Sequence, residues 1–350
     1  MVRRWMIVGL GGWFSITVPG CGDGPSGEDT GASTSSGDAG QETSTTPGDG
    51  DGDPSSTSGD GDGDGDPSTT SGDGDGDPST TGDGDGDGEP GPCAPNDPAV
   101  PGMTVVWCDD FSGPEIDPLK WEFEVNGNGG GNNELQYYTD RPENARIENG
   151  ALVIEAREET YTGPDGTRNF TSARLRTVNK GDWTYGRFEM RGKLPLGKGL
   201  WPAFWMLPTD WVYGGWAASG EIDIVELIGQ EPDTVYGTLH YGGPWPENTS
   251  SAGGTAWGTH DYVLSGATFN DDFHVFAIEW EPGEFRWYVD GIHYQTQTDW
   301  YSTAASYPAP FDQAFHFIAN VAVGGNWPGS PNGTTQFPQQ FQIDWVRVLQ

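Results

Sequence analysis

From Val105 onward, short runs of β-branched and aromatic residues alternate with turn-forming residues. Residues 151–158, 185–194, 274–281, 285–291, 314–324 and 340–350 all read as strands, several with an apolar–polar alternation of period two. Asn149-Gly150, Pro282-Gly283 and Asp290-Gly291 are turn signals between such runs. No amphipathic stretch of helical period and length stands out. Many strands at close spacing in one domain predict an all-β sandwich or barrel. A curved two-sheet sandwich also provides a long groove lined by alternate residues of its strands.

The amino-terminal part has a different pattern. Residues 22–92 hold almost no large apolar side chain and repeat Gly, Asp, Ser, Thr and Pro. Such a stretch cannot bury enough apolar surface to offset its ordering entropy, so it reads as a disordered linker. A coil of about 70 residues has a root-mean-square reach of roughly 45–50 Å, and its spaced Asp residues extend it further. The Asp-Gly runs superficially suggest calcium loops, but counting twelve from Asp60 places Ser71 where a Glu is required. A solvated tether is the better reading.

Residues 1–21 read as an export signal: Arg3 and Arg4, an apolar run from Trp5 to Val18, then Val18-Pro19-Gly20-Cys21. The run is short and glycine-rich for a membrane span. Its end is similar to a bacterial lipobox, which makes Cys21 a candidate lipidation site at the cell surface or outer membrane. Ordinary cleavage and free secretion is the alternative. Cys93 and Cys108 are the remaining cysteines, and in an exported protein they suggest a disulfide pinning the start of the domain to its first strand, against two separate thiols.

The chain carries a formal net charge of −37. Residues 22–92 hold 19 acidic and no basic residues, which leaves 34 acidic against 14 basic in 93–350. A domain this acidic lacks the basic patch needed for nucleic acid or an anionic membrane and suits a neutral substrate. Its length of about 258 residues suits one large all-β domain.

The informative segment is Gly220-Glu221-Ile222-Asp223-Ile224-Val225-Glu226-Leu227. Its β-branched and apolar residues predict a strand. In a regular strand Glu221 and Asp223 share a face, and Glu226, five residues on, faces away into the core. Burying an unpaired carboxylate there is very costly. A one-residue bulge near Ile224–Val225 resets the alternation and brings Glu226 onto the face of the other two. Three crowded carboxyls cannot all ionise cheaply, so at least one pKa rises, which is what a glycosidase needs from its nucleophile and acid. A separation of about 5–5.5 Å between the carboxyls of Glu221 and Glu226 gives retention of configuration. An edge strand with solvated acids is the competing reading.

Trp201, Trp205 and Trp216 lie just upstream of these acids. Trp201, Ala203 and Trp205 alternate onto one face, Phe204 onto the other. A single Trp is more often core than sugar platform, but Trp216 lies in a Gly-rich stretch and is the strongest platform candidate. Asn133, Glu134, Arg176 and His240 are polar groups amid apolar neighbours; they are either satisfied core or turn residues or sugar-binding groups. His240 as a metal ligand lacks any supporting spacing, and neither a Ser/His/Asp signature nor a phosphate loop is present.

Residues 104–350 resemble glycoside hydrolase family 16 and, within it, the laminarinase-like endo-β-1,3-glucanases. The resemblance runs in order through VVWCDDFSG, NNELQYYT, NGALVIEA, TSARLRT, YGRFEMRGKLPLGKGLWPAFWMLP, SGEIDIVELIG, YGTLHYG, FHVFAIEWEPGEFRWYVDG and FQIDWVRV. It implies a curved β-jelly roll with a concave cleft. It also implies Glu221 as nucleophile, Glu226 as general acid/base and Asp223 as their assistant. The six-residue Glu-x-Asp-x-x-Glu form is the one typical of laminarinases. The resemblance further implies a structural calcium held by Asp110, the Gly150 carbonyl and Asp344, ligands of the hard-oxygen kind calcium takes. Three departures stand out: Gly130 where a Trp is frequent, Ala217 where a Pro is usual, and Asp110 as the second acid after Cys108 and Asp109.

The expectation is therefore a monomeric, exported enzyme with a catalytic domain over 93–350, which cuts internal bonds of a β-glucan polysaccharide with retention and needs no redox or nucleotide cofactor. A mixed-linkage glucan or a marine galactan is the same-class alternative. A non-catalytic carbohydrate-binding surface protein is the different-class one, and persistence of all three acids argues against it.

Overall fold

The computed structural model describes residues 91–251, 257–258 and 261–350. The export signal, Cys21 and all but the last two residues of the 22–92 linker lie outside the described residues. Within them the regular structure is strand, arranged as two sheets. The eleven-stranded sheet runs Trp257–Gly258, Ile292–Gln297, Glu284–Val289, His274–Glu281, Gly186–Lys193, Gln339–Leu349, Ala151–Gly163, Gly166–Ser172, Gln136–Tyr138, with Val105–Asp109 and Ala145–Glu148 on side branches. The nine-stranded sheet runs Asn248–Ser250, Thr234–Gly242, Glu221–Glu226, Leu200–Pro208, Phe315–Val323, Arg174–Arg176, Glu122–Phe123, with Asp261–Val263 and Asp182–Trp183 off this path.

The turn chemistry sets two of the hairpins. Asn149 and Gly150 have φ of 55° and 76°, and Asp290 and Gly291 have 49° and 76°. Left-handed backbone at both central residues matches the twist of the flanking strands, and Asn or Asp followed by Gly tolerates it. These turns join Ala145–Glu148 to Ala151–Gly163, and Glu284–Val289 to Ile292–Gln297.

The sheets meet through an aromatic core. Across the interface Phe188 meets Phe317 at 5.8 Å and Trp280 meets Phe315 at 5.5 Å, all four fully buried. Each such ring contributes about 1.5–3 kcal/mol by leaving water. The outer face of the eleven-stranded sheet is polar instead. Glu189 lies between Arg187 and Arg347 at 2.5 Å from each, and Arg347 reaches on to Asp97 and the Pro92 carbonyl. The segment that begins the domain is thus drawn across this face. It is fastened there by a Cys93–Cys108 disulfide with a Cα–Cα distance of 5.5 Å.

Closing a loop of 15 residues stabilises by about 3 kcal/mol. Cys93→Ser should therefore lower the denaturant midpoint in proportion; an unchanged midpoint would mean that the Arg347 contacts alone anchor the segment.

Candidate active site

The acidic strand Glu221–Glu226 is central in its sheet, between Leu200–Pro208 and Thr234–Gly242. On one side Glu221 pairs with His240 and Asp223 with Thr238, after which Glu226 pairs with Tyr236. Ile224 and Val225 therefore stand together opposite Gly237. On the other side Trp205 pairs with Asp223, Phe204 with Val225 and Ala203 with Glu226, so the extra residue there is Ile224. Both ladders record the same bulge. Ile222, Ile224 and Val225 are buried in the core, and Glu226 shares the outward face with Glu221 and Asp223. The bulge expected from strand parity is present.

Each glutamate accepts an indole N–H. Trp216 Nε1 donates to Glu221 Oε2 at 2.8 Å, and Trp201 Nε1 donates to Glu226 Oε1 at 3.0 Å. Indole is a donor only, so Oε1 of Glu226 acts as acceptor in that contact and any proton on this carboxyl sits on Oε2. His240 Nε2 lies 3.4 Å from Asp223 Oδ2 and 3.6 Å from Glu221 Oε1.

The electrostatics follow from burial and crowding. Burial first, and then the Asp223 charge, push the pKa of Glu221 up to about 7, against the pull of His240 and the Trp216 indole. The same two causes hold Glu226 well above the usual carboxylate range, with the Glu221 charge adding to them. Burial works to lower the pKa of His240, but contact with Asp223 and the charge of Glu221 outweigh it and push it up to about 10. His240 is therefore an imidazolium at neutral pH, and its charge favours ionisation of the neighbouring Glu221. The site thus combines two carboxyls that both hold a proton more tightly than a free glutamate, with the charge of the ionised Glu221 further opposing ionisation of Glu226.

Further residues extend this face. Asn320 pairs with Ala203 and accepts from Trp205 Nε1 at 2.9 Å. Arg174 pairs with Asn320, stacks on Tyr138 at 4.5 Å and on Trp205 at 5.5 Å, and lies 3.7 Å from Glu134. Two exposed indoles flank the acids. Trp245, 72% exposed, neighbours Trp216 at 6.3 Å, and Trp327, 40% exposed, meets Trp201 edge-on at 5.4 Å.

The structure gathers Glu221, Asp223, Glu226, Trp201, Trp216 and His240 on this face. Asn133 sits apart, in a left-handed loop position with φ of 59°, donating to Asn326 at 2.9 Å one residue from Trp327. Arg176 lies beyond Arg174, bonded to Glu122 at 2.7 Å. Asp110, Gly150 and Asp344 belong to the other sheet's surroundings. Asp110 accepts from Ser112, and Asp344 pairs with Arg191 at 2.5 Å. Sequence reasoning missed Arg174, Asn320, Trp245 and Trp327. Alternation with Arg176 could have found Arg174, and a lone polar residue in an otherwise apolar run could have found Asn320.

Residues 132–347 match the profile of glycosyl hydrolases family 16. The chain is 43% identical over 272 residues to the glucan endo-1,3-beta-glucosidase A1 of Niallia circulans, covering 73% of this chain and 39% of that protein. It is 46% identical over 262 residues to the beta-glucanase of Rhodothermus marinus, covering 71% of this chain and 85% of that one. It superposes on the catalytic domain of an endo-1,3-beta-glucanase (laminarinase) from Thermotoga petrophila with a TM-score of 0.62 at 43% identity, over 72% of this chain and 99% of that one.

The Trp216 contact makes a signed prediction. Trp216→Phe removes a donor that favours the ionised form of Glu221, so its pKa rises further above the present value of about 7. A group that must be ionised to act then loses activity at a higher pH. The acid limb of the kcat/KM profile should move up by roughly half a unit to one unit. An unmoved acid limb would contradict the role given to this bond.

Proposed function

The chain belongs to glycosyl hydrolases family 16, and on that premise we propose that it is a retaining endo-β-1,3-glucanase. The observation that carries this reading is the pair of glutamates brought to one face by the bulge, both with raised pKa values and with ionisation of Glu221 opposing that of Glu226. In the first step the Glu226 proton passes from Oε2 to the glycosidic oxygen while the Glu221 carboxylate attacks the anomeric carbon. The carbon–oxygen bond to the leaving sugar breaks and a glycosyl ester on Glu221 forms. In the second step Glu226 takes a proton from water, the water oxygen bonds to the anomeric carbon, and the ester bond breaks to release Glu221. Two inversions give net retention.

The Asp223 charge raises both glutamates and the His240 imidazolium lowers both; what differs is that Arg174 also favours ionisation of Glu221, whereas the Glu221 charge opposes ionisation of Glu226. Trp245 and Trp327 offer exposed ring faces on which sugar C–H faces can pack, one at each end of the acidic trio. The face outward from Glu134, Arg174 and Asn320 offers polar groups to sugar hydroxyls. A neutral glucan also suits a domain with an excess of acidic groups. The Trp216–Ala217 peptide, at the family's usual proline, is cis.

Two further readings start from the sequence. Export, with a lipid on Cys21 and residues 22–92 as a tether, would place the enzyme at the cell surface, where a polymer too large to enter meets it. A structural calcium would be held by Asp110, the Gly150 carbonyl and Asp344. Asn149 and Ala151, on either side of Gly150, line a cavity of about 170 Å³ with Asp344, and carboxylate and carbonyl oxygens suit this ion. Arg191 already neutralises part of Asp344.

Either Glu221→Gln or Glu226→Gln should lower turnover on laminarin by about three orders of magnitude or more with the circular dichroism spectrum unchanged. A panel of laminarin, lichenan, cellulose, agarose and xyloglucan should show laminarin cut fastest, with oligosaccharides as early products. Near-wild-type turnover in either variant, or preferred cleavage of agarose, would overturn the assignment. For the calcium site, chelation should lower the thermal midpoint and added calcium should restore it; a midpoint indifferent to both would remove the site.

A further inference from the structure

A bulge takes backbone groups out of the ladder, and buried carbonyls there need other donors. Around Ile224 and Val225 these donors come from the opposite sheet. Trp287 Nε1 donates to the Asp223 carbonyl at 2.9 Å, and Gln295 Nε2 donates to the Gly237 carbonyl at 3.0 Å. Asp223 begins the bulge, and Gly237 is the residue facing it. Trp287 and Gln295 are direct cross-strand partners in the hairpin of Glu284–Val289 and Ile292–Gln297. Both side chains are completely buried. One pair of neighbours on one sheet thus holds both strands that make the bulge in the other.

Two features separate this arrangement from ordinary packing. First, a Cβ on Gly237 would fall 2.4 Å from Trp287 Cδ1 and 2.5 Å from its Nε1, so only glycine lets the indole reach past it. Second, burial alone does not bring an indole N–H to an acceptor here. Trp280, equally buried on the same sheet, has an Nε1 with no hydrogen-bond partner. Gln295 likewise keeps a buried amide whose Oε1 has no partner, a burden an apolar side chain would avoid. The amide is explained by the carbonyl it serves.

We propose that Trp287 and Gln295 are positioning residues: from behind the catalytic sheet they fix the bulge at Ile224–Val225, and so the mutual placement of Glu221, Asp223 and Glu226. This rests on the reading of those carboxyls as catalytic. Neither residue touches the cleft face, so their effect on chemistry passes through the backbone of Asp223 and Gly237.

The test compares three variants of the full chain, each studied below its unfolding transition. Trp287→Phe keeps a ring and removes the N–H. Gln295→Met keeps the length and removes the amide. Trp280→Phe makes the same indole-to-phenyl change in the same core without touching the bulge. Kinetics on laminarin should show kcat lowered about tenfold or more in Trp287→Phe, with KM within about twofold, since small displacements of reacting groups act on the chemical step. Gln295→Met should fall less, and Trp280→Phe should match wild type.

Carbon-13 titration of labelled glutamates supplies a readout independent of activity. The Glu221 and Glu226 carboxyls should titrate at shifted positions in Trp287→Phe and Gln295→Met only. The other charged groups facing them, Asp223, His240 and Arg174, are unaltered in all three variants. If Trp287→Phe does not fold, Gln295→Met decides by the same readouts. Wild-type kcat and titration in both bulge variants, or an equal loss in Trp280→Phe, would overturn the proposal. An inactive wild type would instead count against the glucanase reading, with the titration still deciding the positioning claim.

Discussion

One additional residue in one strand, Ile224, is the constraint on which the rest of the site depends. Without it, strand parity would turn Glu226 inward, where Phe204 and Phe317 meet at 4.8 Å. A carboxyl there could neither be solvated nor reach a sugar. With it, both neighbouring strands shift register at the same place and three carboxyls share a face. Their crowding then generates the pKa differences that acid–base chemistry uses. The Trp201 and Trp216 indoles and the His240 imidazolium distribute the protons among them.

The two sheets divide the work. The nine-stranded sheet carries reactive and sugar-facing groups outward and aromatic packing inward. The eleven-stranded sheet supplies the packing partners, carries interleaved Arg and Glu on its outer face, and sends Trp287 and Gln295 across the core to the bulge. Buried carboxyls with raised pKa values cost stability as pH rises above the ordinary carboxylate range, where the unfolded chain ionises them first. That cost is complete once pH passes their raised values. A catalytic face of this kind therefore needs a rigid layer behind it, and the ring contacts between the sheets, Phe188 on Phe317 and Trp280 on Phe315, provide one.

Much of this was legible in the sequence because it depends on local rules. The strand runs are β-branched and aromatic. Asn149-Gly150 and Asp290-Gly291 encode left-handed turns, and the acidic spacing makes sense only with a bulge. The sandwich class and the acidic trio follow from these features and from the family resemblance. What escaped depends on direction rather than position. The sequence places Trp201 and Trp216 beside the acids but does not say that their N–H groups, rather than their ring faces alone, address Glu226 and Glu221. Arg174 and Arg176 share a face by alternation, and only the packing around Trp205 and Tyr138 brings Arg174 toward the acids while Glu122 keeps Arg176 outside. Trp287 lies 61 positions from Glu226, and no periodicity signals a bond across the sandwich.

The most direct measurement is covalent trapping. A 2-deoxy-2-fluoro laminari-oligosaccharide with a good leaving group slows both chemical steps and favours accumulation of the glycosyl-enzyme. Peptide mass spectrometry of the inactivated protein should find one sugar adduct, on Glu221. An adduct on Asp223 or Glu226, or turnover with no covalent species under conditions that trap a retaining enzyme, would contradict the account.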